Sequence, residues 1–150
     1  GQLEIKKYPD NILRMSCAKI GEVTEEEVKL WEDMLLVMHR NEGIGLAAPQ
    51  VGVARRLIVV DVDGVTMKLA NPEVLDDKGL NIMEEGCLSF PGFTVKIKRP
   101  TEIIVRGLNE KNKLIEFSAQ GLLARVLQHE IDHLNGKVIM DYISSVMLFE

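Results

Sequence analysis

The chain has 150 residues, with 18 Lys and Arg against 23 Asp and Glu and a net charge of −5. That length suffices for one domain with a core of its own, and a hydrophobic fraction of 46% beside 27% charged residues excludes a disordered chain. The acidic balance argues against a surface that tracks phosphates, so no specific nucleic acid is expected as a partner. No apolar run approaches the roughly 18 residues of a membrane span, and the start GQLEIKKYPD lacks the pattern of a signal peptide. A cytoplasmic protein with no membrane partner is the expectation.

In chain order, Cys17 in MSCAKI reads as a small buried hydrophobe, and a cytosolic setting disfavours a disulfide with Cys87. Thr24 followed by Glu27 is a capping box. It predicts a helix over residues 25 to 42, with Val28, Trp31, Leu35 and Met38 on one face and His39 at its edge. The acidic run Glu25 to Glu27 reads as solvated surface. GIGLAAPQVG follows as a glycine-punctuated loop, in which Gly43 and Gly45 let the backbone take unusual angles and approach a bound peptide. RLIVVDV then reads as a buried strand.

Further strands are predicted over residues 67 to 70, 73 to 75, 94 to 98, 102 to 108 and 114 to 119. Asp76, Asp77 and Glu84 read as surface, Lys96, Lys98 and Arg99 as strand-edge charge, and Glu85 as a brace for the EEGCLSFPG segment. A second helix is predicted over residues 120 to 135, stopped by Asn135-Gly136. Strands and helices are largely segregated. That organisation predicts a single α+β domain over residues 1 to 150, an antiparallel or mixed sheet packed around the second helix.

The second helix carries QHEIDHLNG, residues 128 to 136. Positions four apart share a helix face, so His129 and His133 can present two imidazoles to one cation, with Glu130 one step round as a general base. With three His and this Glu content, chance supplies roughly 0.004 such motifs per chain of this composition. An open metal site takes three protein ligands. No His follows His133, and the carboxylates beyond it are Asp141 and Glu150, so the third ligand is expected upstream. Cys87, a soft thiolate in a glycine-flanked turn, is the best candidate. Two other readings remain open: a zinc endopeptidase of the zincin type, and a non-catalytic module whose closed metal site serves only stability.

GIGLAAPQVG (43 to 52), EGCLSFP (85 to 91) and QHEIDHLNG (128 to 136) resemble, in order and spacing, the three signature motifs of the peptide deformylases. The resemblance covers nearly the whole chain. It implies a metal-dependent hydrolase that removes the N-formyl group from formylmethionyl nascent peptides. It further implies one divalent metal ion on Cys87, His129 and His133, natively Fe(II) and replaceable by Zn, Ni or Co. Glu130 corresponds to the general acid/base, and the Gln50 side chain and the Leu88 N–H to the oxyanion donors. By the same resemblance, Ile44 and Gly45 meet the peptide main chain, while Ile44, Leu122 and Val126 wall a pocket for the methionine side chain. The ribosome near its exit tunnel is a candidate partner. Asp132 is expected either to pair with Arg99 or to stay solvated. The chain departs from many family members in stopping at Glu150 after SSVMLFE, where Val146, Leu148 and Phe149 are expected to pack, a dimer contact being one way.

Overall fold

The computed structural model describes residues 3–143; the expected packing of Val146, Leu148 and Phe149 falls outside them. The capping box forms. Thr24 accepts a hydrogen bond from the Glu26 N–H, and its own N–H donates to Glu27 Oε1 at 2.6 Å, opening helix α1 over Glu25–Arg40. Trp31, Met34, Val37 and Met38 form its buried side, with Val28 and Leu35 partly buried beside them. Glu27 departs from the solvated reading of its run. It is only 2% exposed, because closing the cap turns it inward to pair with Arg55. Burial opposes its charge, but the Thr24 hydrogen bonds and Arg55 hold its pKa down at about 2.

The strands are β1 (Gly45–Ala47), β2 (Leu57–Val62), β3 (Val65–Lys78), β4 (Asn81–Glu85), β5 (Val95–Arg99), β6 (Glu102–Leu108) and β7 (Leu114–Gln120), followed by helix α2 (Gly121–Leu134). Five of them form an antiparallel sheet in the order β1-β2-β3-β6-β7, and β4 and β5 pair separately as a two-stranded hairpin. Part of the expected loop is thus an edge strand, β1. The two short strands predicted around residue 72 are one strand, β3. Pro72 offers no N–H to a ladder, and β3 absorbs it with a register shift between Ala70 and Glu73 that spans Asn71, whose φ is 50° and whose side chain bonds both the N–H and the carbonyl of Ile20.

The alternation along β2 explains how the helices sit. Leu57 and Val59 pack with Trp31, Met34 and Met38 of α1, while Ile58 and Val60 pack with Ala124, Leu127, Ile131 and Leu134 of α2. Successive strand residues face opposite sides, so the helices cover opposite faces of the sheet. The end of α2 is pinned as well: Arg56 Nη1 donates to Leu134 O at 3.1 Å, a carbonyl the helix itself cannot satisfy, and to Cys17 O at 3.3 Å. Gly136 turns the chain with φ 72°, and a β-carbon there would meet the Arg14 carbonyl at 2.5 Å. Cys17 is buried and unbridged, as expected. No helix among the described residues is long and apolar enough to cross a membrane.

Candidate functional site

The site lies where α2 faces the hairpin. Helical spacing places His129 and His133 on one face of α2, with ring centroids 5.1 Å apart. The segment after β4 brings Cys87 to them, its Sγ 3.3 Å from His133 Nε2. The three ligand atoms lie within 4.8 Å of one another. Ligands at about 2.0–2.3 Å from one tetrahedral ion stand roughly 3.3–3.8 Å apart, so the cluster fits a single cation after small adjustments.

His129 Nδ1 donates to Glu85 Oε1 at 2.9 Å, which leaves Nε2 to act as the ligand. Burial opposes charge on His129, yet Glu130, Cys87 and Glu85 around it push its pKa well above the usual value. Surroundings that favour a proton there also favour a metal cation. His133, with burial and then the charge of His129 against it, is pushed well below.

Behind the ligands stands a buried ionic network. Arg99 grips Glu85 with two parallel bonds, Nε to Oε2 at 2.6 Å and Nη2 to Oε1 at 2.9 Å. Its Nη1 reaches Asp132 Oδ2 at 2.9 Å, where the Tyr142 hydroxyl also donates at 2.5 Å. Arg125 adds a further bond to Glu85 Oε2 at 2.5 Å. Burial alone would raise the Glu85 pKa, but His129 and Arg99 bring it down to about 2. Arg99 is therefore not strand-edge charge: on β5, Lys96 and Lys98 face solvent and Arg99, at the strand's end, is 4% exposed, because its partners lie beneath the hairpin. Asp132 makes the ion pair rather than staying solvated. Glu84 is exposed and Glu85 braces the segment, as expected.

Glu130 is buried with Oε1 lacking any hydrogen-bond partner, and burial lifts its pKa to about 7, against the pull of His129. Gly45 is small because of this carboxylate. Its backbone is an ordinary strand, and a β-carbon would stand 2.6 Å from Glu130 Oε2 and 2.7 Å from Val126 Cγ1. Close approach to α2, not an unusual backbone angle, is what requires glycine at this position. Gln50 is buried on a short 3-10 helix over Ala48–Val51. Its Oε1 accepts from the Ala47 N–H at 3.0 Å, and Nε2 donates to Ser89 Oγ at 3.1 Å and reaches Cys87 Sγ at 3.4 Å. The amide thus points its N–H groups at the metal-ligand side.

A cavity of about 450 Å³ opens over the cluster. Ile44, Gly45, Gln50, Cys87, Leu88, Leu122, Val126, His129 and Glu130 all line it, so of the candidate ligand, catalytic and substrate residues only His133, deeper in the protein, does not reach this space. Ile44 and Leu122 are about half exposed at its mouth, and Val126 is buried. Sequence reasoning passed over Ser89, which orients Gln50 and leaves no pattern to find. It also passed over Arg125, a charged residue four positions before His129 on the inward face of α2, where its placement was a readable signal.

A Cys-His-His cluster able to hold one metal ion, beside a buried carboxylate without a partner on Oε1 and under an open cavity, is the arrangement of a metal-dependent hydrolase. A family model described as polypeptide deformylase matches residues 2–147. The chain belongs to the peptide deformylase family, and it removes the formyl group from N-terminal formylmethionine. It is 51% identical over 147 residues to the peptide deformylase of Thermodesulfovibrio yellowstonii, an alignment covering 95% of this chain and 89% of that protein. The crystal structure of the peptide deformylase from Thermotoga maritima matches with a TM-score of 0.93 at 39% identity, covering 96% of this chain and 99% of that one. The Synechococcus elongatus enzyme in complex with actinonin matches with a TM-score of 0.93 at 36% identity, covering 98% and 82% respectively.

Proposed function

We propose that Cys87, His129 and His133 hold one divalent metal ion, Fe(II) in the native protein with Zn, Ni or Co able to replace it, and that Glu130, Gln50 and Leu88 serve the chemistry. One thiolate and two imidazoles suit all four metals. When bound, the cation supplies Lewis acidity, easing deprotonation of a water and polarising the formyl carbonyl. Glu130 takes the proton of the attacking water and returns it to the departing amine. Burial raises its pKa, the direction that lets it return the proton as well as take it. The Gln50 Nε2–H and the Leu88 N–H donate to the oxyanion as it forms, each worth about 3–4 kcal/mol in the transition state. Ala47 and Ser89 hold Gln50 in place before substrate arrives, so little reorganisation accompanies the reaction.

The substrate peptide lies along β1, at the open edge of the five-stranded sheet, where Ile44 and Gly45 meet its main chain in strand fashion. Its methionine side chain enters the cavity between Ile44, Leu122 and Val126. In this reading the whole chain, residues 1 to 150, is one catalytic domain. It acts in the cytoplasm on nascent peptides near the ribosomal exit tunnel, with the ribosome itself as a partner.

The observation that carries the reading is Glu130: a carboxylate buried without a partner on Oε1, next to the ligand cluster, serves no structural purpose but suits a base. The test is a pair of peptides. A formyl carbon is less hindered than an acetyl carbon, and a misplacement of about 1 Å costs on the order of 10²-fold in rate. Protein purified without oxygen should contain one equivalent of iron, release formate from formyl-Met-Ala-Ser, and leave acetyl-Met-Ala-Ser intact. Equal release of acetate would sink the proposed site geometry.

A further inference from the structure

We propose that Arg125 is the positioning residue that fixes the width of the methionine pocket, and so the enzyme's selectivity for the first side chain of its substrate. The proposal rests on the reading that this side chain enters the cavity between α2 and the hairpin. One wall there is α2, with Leu122 and Val126, and the facing wall includes Met83 and Glu84 of β4.

Packing does little to hold β4 in place. It belongs to a two-stranded hairpin, so one of its edges has no neighbouring strand. Of its five residues only Glu85 is buried, while Asn81, Ile82, Met83 and Glu84 are exposed. Arg125 reaches across from α2 and ties down this strand at both ends. Its Nη2 donates to Asn81 O at 2.8 Å, and its Nη1 to Glu85 Oε2 at 2.5 Å and to Ile97 O of β5 at 3.0 Å.

Charge balance does not explain this arginine. Glu85 already receives two parallel bonds from Arg99 and a third from His129. What only Arg125 contributes is its grip on two backbone carbonyls of the hairpin, from a helix that also carries the metal ligands. Its rigid, planar fork makes these three bonds with fixed geometry, and Arg125 lines the cavity together with Leu122 and Val126. Arg125 therefore sets the gap between α2 and β4 at its Asn81 end, while the His129–Glu85 bond ties the two elements at the other end.

Arg125→Met keeps the apolar stem and removes all three bonds. The variant should fold, because Arg99 still neutralises Glu85 and His129 still donates to it. Steady-state kinetics of formate release from formyl-Met-Ala-Ser, formyl-Phe-Ala-Ser and formyl-Ala-Ala-Ser will test it. A single methylene in an apolar pocket changes selectivity by about 10-fold or more. The preference for Met over Phe should accordingly fall by about 10-fold. KM for the Met peptide should rise while kcat stays within about three-fold, the pattern of lost substrate binding rather than lost chemistry. Arg125→Lys, which keeps one bond at a time, should fall between, and it carries the test alone should the Met variant not fold.

Selectivity equal to wild type in a folded variant would overturn the proposal, whatever happens to its melting temperature. So would a fall in kcat with the Met/Phe ratio unchanged. Leu122→Ala, assayed in parallel, tests the underlying pocket reading. If it leaves the KM of the Met peptide unchanged, the pocket is misplaced and both ideas fail; if it raises that KM while Arg125→Met keeps wild-type selectivity, only the role of Arg125 fails.

Discussion

The five-stranded sheet and the β4–β5 hairpin are held by different physics. The sheet is clamped between two helices by apolar side chains, with β2 alternating residues toward each. The hairpin lies apart from it. Val95 and Ile97 reach a small apolar cluster with Leu13, Phe90, Val138 and Ile139, but β4 contributes only Glu85 inward, into a knot of two arginines and a histidine. Apolar packing is tolerant of small changes in volume, whereas a buried ion cluster is unforgiving once a charge in it is left uncompensated. The three candidate ligands straddle this divide: α2, packed on the sheet, carries both imidazoles, and His129 and the Cys87 thiolate lie beside the ionic knot.

If that contrast is right, chemistry and stability should separate cleanly. The largest effect should come from Glu130→Gln, on the packed side: turnover falls by about 10²–10⁴-fold. Metal content and the urea midpoint should not fall, because the carboxylate forms no bond at Oε1 to lose. Near wild-type turnover at full metal occupancy would show that another group is the base.

Next in size is Glu85→Gln, which leaves Arg99 and Arg125 facing a neutral amide. Breaking a buried pair in this way costs about 3–5 kcal/mol, readable in urea titrations of metal-loaded protein. The same variant yields a pH test. A carboxyl held down at about 2 stabilises the fold fully above its ordinary value near 4.5, and that contribution drains away as pH falls from 4.5 toward 2. The difference between wild type and variant should therefore be constant around neutral pH and narrow through acid. A difference that stays constant down to pH of about 3 would mean the network is not ionic.

The smallest effect tests the packed side alone. Ile58→Val removes one methylene from the face of β2 toward α2 and should cost about 0.5–1.5 kcal/mol. It should leave KM for formyl-Met-Ala-Ser where it was. A shifted KM would mean that the sheet and the hairpin are mechanically joined in a way their contacts do not suggest.

The same divide decided what could be read from sequence. The capping box at Thr24, the run RLIVVDV and the spacing of His129 and His133 are local patterns with one structural meaning each, and all three appear as expected. Cys87 was legible only by elimination and by its place in the second motif. Arg99 and Glu27 were misread as surface, since burial of a charge depends on a partner distant in the chain: Glu85 lies 14 residues from Arg99, and Arg55 lies 28 from Glu27. β3 was split because Pro72 signals a break, and only the sheet can show that a bulge takes it up. Gly45 was noticed partly for unusual backbone angles, which it does not adopt. Its constraint comes from Glu130 on α2, and nothing near it in sequence says so.

Glu85 and Cys87 stand two residues apart, one fixed by the ionic network and the other by its place among the ligands. The single intervening Gly86 leaves no slack between these fixed points. Lengthening the chain there would push the thiolate off the imidazoles even if every side chain were kept. The connection from β3 to β4 at Gly79 and Leu80 is exposed, and added residues there would loop into solvent. Peptide tags or reporter loops grafted at that connection should therefore be accommodated, whereas the Glu85-Gly86-Cys87 step sets a hard limit on redesigning the segment.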